Sequence, residues 1–164
     1  MKFKLITLEH TQIIAKEIAS FIKDSNGFYT FLLYGNLGTG KTTLVREILK
    51  NLGWEKPVKS PTFSIVEEYS LPNKDIYHAD LYRLKSLNDF EMLGLDINYS
   101  NPGILFVEWP EIIAKDIEGK IIEISIEMEK EQRNLEVRTD CDDCLLYTSP
   151  SPRDATLSRM PSSA

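Results

Sequence analysis

Apolar positions recur along the chain in two rhythms, and the changes between them predict alternating strands and helices. Residues 2–6 read as a short first strand. Ile14, Ile18 and Phe21, flanked by Ile13 and Ile22, share one face at a period of about 3.6 residues, and Asp24-Ser25-Asn26-Gly27 ends that helix. Residues 29–34, Tyr-Thr-Phe-Leu-Leu-Tyr, predict a buried strand. The helix that follows carries Val45, Ile48, Leu49 and Leu52 on one side, and Gly53 is placed to close it. A loop at 59–62 opens into an alternating strand over 63–69. A turn at Leu71-Pro72-Asn73 leads to a strand over 75–81. Ser86 and Asp89 have the spacing of a helix cap before Leu87, Phe90 and Leu93. Ile104-Leu105-Phe106-Val107 is a continuous apolar run, as expected of a strand covered on both faces, and Pro110 breaks the chain after it. Residues 121–128 and 135–138 predict a closing hairpin. No internal repeat is visible. The pattern gives an α/β domain in three layers, with a mixed sheet of parallel core strands and added antiparallel strands.

Between the 29–34 strand and its helix lies Gly35-Asn36-Leu37-Gly38-Thr39-Gly40-Lys41-Thr42-Thr43. The spacing G-x4-G-K-T lets consecutive backbone N–H groups turn inward around phosphate oxygens. Lys41, expected as an exposed point charge, reaches the β- and γ-phosphates, and the Thr42 hydroxyl is a ligand for Mg²⁺. Strand before and helix after are the context the motif requires, so the domain is expected to be of the P-loop NTPase type and to bind a nucleoside triphosphate. Such a site needs a further carboxylate at a strand's carboxyl end. Two strands supply one: Glu108 after 104–107, and Asp80 at the end of the 75–81 strand. On spacing alone either holds the metal, directly or through water, and the other polarises the attacking water or braces the first. Glutamate rather than aspartate at the Walker-B-like position keeps these roles exchangeable.

Other residues carry two readings each. Thr62, after Ser60-Pro61, fits a switch residue that contacts the γ-phosphate, or a simple strand start. Trp109 fits a base-stacking or docking residue, or a half-buried packing residue. His78 fits a core histidine better than a metal ligand, since no second histidine stands at a metal spacing. Asp116-Ile117-Glu118-Gly119 matches D-x-x-G but lies in a turn context, and Asn73-Lys74-Asp75 falls one residue short of N-K-x-D. Adenine is therefore favoured over guanine.

Composition narrows the class. The chain has 164 residues and a net charge of −6. Residues 144–164, CLLYTSPSPRDATLSRMPSSA, show neither rhythm, and their first eleven residues can be spelled by a transposon-end adaptor from sequencing libraries. They are expected to be a non-native tail, with the ATP-site domain spanning 1–143. Setting aside Arg153, Arg159 and Asp154 leaves 17 basic and 24 acidic residues, a charge of −7. Such a chain is poorly suited to gripping nucleic-acid phosphates unaided. Cys141 and Cys144 form C-x-x-C only if the tail is counted. No apolar run approaches a membrane span and no signal peptide precedes the first strand, so the expected location is cytoplasmic, with no membrane contact.

Four segments in this order and spacing, GNLGTGKTT (35–43), KSPTFSIVEEY (59–69), YHADLYRL (77–84) and LFVEWPE (105–111), resemble the TsaE family. The resemblance covers nearly all of residues 1–143. It implies a bacterial ATPase that supports threonylcarbamoyladenosine modification of tRNA at position 37, with ATP and Mg²⁺ as cofactors and TsaB and TsaD as partners. It also implies contact with tRNA only through those partners. By the same resemblance residues 35–43 bind ATP, Thr42 and Glu108 hold Mg²⁺, and Asp80 lies at the reacting phosphate. Thr62 falls in a switch-like segment, and Thr11 and Arg133 are outlying nucleotide contacts. The alternative is a small P-loop kinase acting on a nucleoside or other small molecule. Between Lys41 and Glu108, however, the chain offers only Arg46 and Arg83 and no lid-length insertion.

Overall fold

The computed structural model describes residues 2–5, 7–61, 64–141 and 159–160. Eight strands form one sheet. In chain order they are β1 (Lys2–Leu5), β2 (Phe28–Tyr34), β3 (Val66–Leu71), β4 (Lys74–Asp80), β5 (Gly103–Glu108), β6 (Lys120–Glu129), β7 (Gln132–Thr139) and β8 (Arg159–Met160). Their order across the sheet is β3-β4-β5-β2-β6-β7-β1-β8. β4, β5, β2 and β6 run parallel. β3 joins one edge antiparallel, and β7, β1 and β8 extend the other. The expected mixed sheet is therefore present, with the antiparallel strands divided between both edges.

Two helices, α1 (Leu8–Asp24) and α2 (Lys41–Asn51), pack together on one face. Their apolar stripes meet the alternate residues Tyr29, Phe31 and Leu33 of β2, Ile104 and Phe106 of β5, and Ile122, Ile124 and Ile126 of β6. Every one of these is buried, and a fully buried aliphatic or aromatic side chain contributes about 1.5–3 kcal/mol. The opposite face is covered only over the parallel centre. There Leu32, Tyr77, Ala79, Leu105 and Val107 meet Ile113, with Leu87 and Phe90 of the short helix α3 (Leu87–Glu91) and Ile112 of a 3-10 turn at Pro110–Ile112. The third layer is thus made of short segments.

Local signals in the sequence act as expected. Ser86 accepts the Asp89 N–H at 3.2 Å, and Asp89 returns a carboxylate to the Lys85 N–H at 2.9 Å. Gly53 donates its N–H to Lys50 as α2 ends. β3 differs: it begins at Val66 rather than at 63. Ile65, at φ +68°, donates to Pro61 O and accepts from Asp80 N, so it sits in a turn bonded to the end of β4. Residue 116 lies in a turn, with its N–H bonded to Ile113 O.

Candidate functional site

Strand parity decides which side chains gather at the carboxyl edge. Along β5, Ile104 and Phe106 face the helices, so Glu108 faces them as well. Along β4, Ile76 does so, and His78 and Asp80 follow. Register then places Asp80 opposite Glu108 and Glu108 opposite Leu33, the penultimate residue of β2. The carboxyl ends of β2, β4 and β5 lie along one edge, where ligands bind open α/β sheets. The loop from Gly35 to Gly40 leaves β2 at that edge and turns into α2.

Gly40 is the N-cap of α2 at φ +104°, without a side-chain cap, so the first-turn N–H groups lack a side-chain acceptor. A Cβ at Gly40 would come within 2.7 Å of Arg133 Nη1, and one at Gly38, φ +79°, would meet nothing within 4 Å. One glycine admits an arginine while the other leaves the cradle open. Thr39 braces the loop through its hydroxyl to Asn36 O at 2.9 Å, and Arg133 donates to Thr39 O at 3.4 Å. These features fit an anion at a helix N-terminus.

Lys41 departs from the sequence expectation. It is the first residue of α2 and only 5% exposed. Its Nζ donates to Gly35 O and, at 3.4 Å, to Asn36 O, and lies 3.9 Å from the centroid of the Trp109 ring. Burial lowers its pKa, against the pull of Glu108, Asp80 and Glu111. The reason is Trp109, which at φ +55° leaves β5 in a left-handed turn before Pro110. Its ring, half-buried and in tilted contact with Tyr82 at 4.9 Å between centroids, covers the lysine.

Thr42 Oγ1 lies 3.0 Å from both Oε1 and Oε2 of Glu108. Glu108 is 3% exposed, and its Oε2 is 2.5 Å from His78 Nε2. Asp80 is more open. Its Oδ1 accepts the Tyr82 N–H at 3.0 Å, and burial, with the nearby Glu108 carboxylate, raises its pKa; that bond, His78 and Lys41 oppose the shift. A hydroxyl and a carboxylate on adjoining elements form an all-oxygen donor pair that suits Mg²⁺, which completes its shell from phosphate and water. Among the described residues no group of three or more His, Cys, Asp or Glu is placed to hold a metal ion. Beside the loop a cavity of about 530 Å³ is lined by Tyr34, Gly35, Asn36, Leu37, Thr39 and Trp109, with β6 residues 125–128 and Glu111.

The remaining predicted residues fall elsewhere. Thr43 lies half-buried on α2, beyond the cavity lining. Thr11 is buried in the first turns of α1. Its hydroxyl has no hydrogen-bond partner among the described residues, and it does not line the cavity. Thr62 and Cys144 lie outside the described residues. His78 was set aside as a core residue; it is indeed fully buried, but it is bonded to Glu108. The spacing H-x-D put it on Asp80's face, and only the order of β4 beside β5 reveals its partner. Tyr82, whose ring contacts that of Trp109, also carried no separate signal.

Comparisons of sequence and of fold show what this chain is similar to. The family model "Threonylcarbamoyl adenosine biosynthesis protein TsaE" matches residues 5–136. A tRNA threonylcarbamoyladenosine biosynthesis protein TsaE from Rickettsia bellii is 38% identical over 128 residues, covering 77% of this chain and 86% of the relative. Its counterpart from Bacillus subtilis is 35% identical over 126 residues, 77% of each chain. That from Haemophilus influenzae is 39% identical over 105 residues, 64% of this chain and 66% of the relative. The crystal structure of YdiB from Bacillus subtilis superposes with a TM-score of 0.69 at 24% identity, over 90% of this chain and 93% of that one, a likeness of fold. With a family model spanning residues 5–136, the P-loop edge described above belongs to a member of the TsaE family, the threonylcarbamoyl adenosine biosynthesis proteins.

Proposed function

We propose that this chain is an Mg²⁺-dependent ATPase that serves tRNA N6-threonylcarbamoyladenosine formation by driving or resetting a TsaB–TsaD transfer complex. The observation that carries the reading is the contact of Thr42, on the P-loop helix, with Glu108, at the end of the adjoining parallel strand. Family membership supplies the pathway; the names of the relatives supply tRNA threonylcarbamoyladenosine biosynthesis.

In this reading the residues 35–43 hold the triphosphate, with uncapped N–H groups and Lys41 on the anionic oxygens. Lys41 must exchange the carbonyls of Gly35 and Asn36 for phosphate. Thr42 and Glu108 would hold Mg²⁺, which when bound would neutralise charge on the phosphates. Asp80, whose carboxyl takes up a proton more readily than an ordinary one, orients the attacking water and accepts its proton. Water oxygen bonds to the γ-phosphorus, the bond to the β–γ bridging oxygen breaks, and ADP and phosphate leave. Arg133 at Thr39 and Trp109 at the cavity mouth bound the nucleotide. Thr62 and Thr11 keep their proposed roles as switch residue and outlying contact.

Location in the cytoplasm accords with this role; among the described residues no helix is long and apolar enough to cross a membrane. Radiolabelled γ-phosphate separates the reading from a kinase. Label released as inorganic phosphate, with Mg²⁺ required, supports hydrolysis. Label transferred stoichiometrically to a nucleoside or other small acceptor overturns it.

A further inference from the structure

His78 is the one buried histidine at this edge, and parity does not require a polar residue there. Its neighbours on the same face, Ile76 in β4 and Phe106 opposite it in β5, are apolar core. Glu108 stands one step beyond Phe106 on the same face, diagonal to His78, within reach of a long side chain. A carboxyl group that is 3% exposed needs hydrogen-bond partners. It has two here: Thr42 Oγ1, equidistant from both oxygens, and His78 Nε2 on Oε2.

These donors differ once a cation arrives. The Thr42 hydroxyl oxygen, as a metal ligand, no longer serves mainly to restrain Glu108. His78 remains. Its Nδ1 is buried without a hydrogen-bond partner among the described residues, so a proton there would be stranded, whereas a bare nitrogen is tolerated. The proton therefore belongs on Nε2, aimed at Oε2, which leaves Oε1 as the oxygen free of the histidine. We propose that His78 is a positioning residue that fixes the Glu108 carboxylate for the cation, with Nε2–H holding Oε2. This rests on the reading of Thr42 and Glu108 as Mg²⁺ ligands. Outer hydrogen-bond partners of metal ligands typically contribute about 10–100-fold in metal affinity.

The test uses the full chain, with ADP as probe and Mg²⁺ titrated, read by calorimetry rather than turnover. His78→Leu, similar in bulk but without a donor, is expected to raise the Mg²⁺ concentration for half-maximal ADP binding by about 10–100-fold. ADP affinity in EDTA should stay within about threefold of the parent, because a cation-independent cradle is untouched. His78→Gln, which retains an N–H donor, should recover most of the Mg²⁺ response. An unchanged Mg²⁺ requirement in folded His78→Leu, or an equal loss in EDTA, overturns the proposal. Should His78→Leu fail to fold, ¹⁵N NMR of the parent imidazole decides. A protonated Nε2 with bare Nδ1 supports the role, and a bare Nε2 overturns it. If the parent itself binds ADP without regard to Mg²⁺, the metal reading fails, and His78's role with it.

Discussion

Thr42 and Glu108 stand 66 positions apart in the chain, yet the threonine hydroxyl lies 3.0 Å from each oxygen of the glutamate. Asp80, opposite Glu108 in register, makes no such contact and instead accepts the Tyr82 N–H. Spacing alone left the two carboxylates exchangeable; their partners separate them. Glu108→Ala is expected to weaken Mg²⁺-dependent nucleotide binding, whereas Asp80→Ala should bind Mg·ATP nearly normally and lose turnover by about 10²–10⁴-fold. Titrating Mg²⁺ against both variants checks this. Loss of the metal response in Asp80→Ala with retention in Glu108→Ala would exchange the roles.

Lys41→Ala should lower turnover by about 10²–10³-fold, as expected for removing a donor to a phosphoryl transition state. Because the side chain is buried under Trp109, the variant uncovers one ring face, at a cost of about 0.5–2 kcal/mol. Removing a desolvated cation offsets part of that. Thermal melting should shift by only a few degrees, and a folded variant with parental Mg·ATP affinity and turnover would falsify the assignment.

Asp80 also predicts a pH dependence. Its carboxyl holds a proton more tightly in the folded chain than in the unfolded one, mainly through burial. Stability from this group is therefore present below the ordinary carboxylate pKa of about 4 and declines as pH rises through the raised native value. Asp80→Asn keeps an acceptor for Tyr82 and cannot ionise. Without nucleotide or metal, it should match the parent near pH 4 and melt a few degrees higher at pH 7. A variant less stable at pH 7 than at pH 4, relative to the parent, contradicts this.

Much of this site was legible from residues alone, because its parts carry local constraints. A P-loop announces itself by glycine spacing, and β5 by an unbroken apolar run that ends in Glu108. What escaped was set by the order of strands. His78 reaches Glu108 only because β4 lies beside β5, and no periodicity encodes that adjacency. Lys41's burial depends on a left-handed turn at Trp109, a conformation that a tryptophan does not advertise. β3 began late because Ile65 turns to bond the end of β4, a tertiary contact that overrides alternation in residues 63–69.

The proposed non-native tail has a direct test. Residues 159–160 pair with β1 at the sheet edge, beyond the strands whose side chains build the core. Truncation after Asp143 is expected to leave melting temperature within about 2 °C and nucleotide affinity unchanged, since an edge pair of this length adds little. A large drop in stability would show that the segment belongs to the domain.

We further propose that hydrolysis by this chain is slow alone and activated by its partners. Among the described residues, Lys41, which is desolvated, and Arg133, which donates to Thr39 O, stand at the phosphate loop. An arginine supplied by another chain typically accelerates such hydrolysis by about 10³–10⁵-fold. The deciding measurement is phosphate release from Mg·ATP by this chain alone and with its cognate TsaB–TsaD complex, at physiological salt. Slow release alone and a large acceleration with the complex, lost in Asp80→Ala, are expected. Fast turnover by the isolated chain, unaffected by TsaB–TsaD, would contradict it.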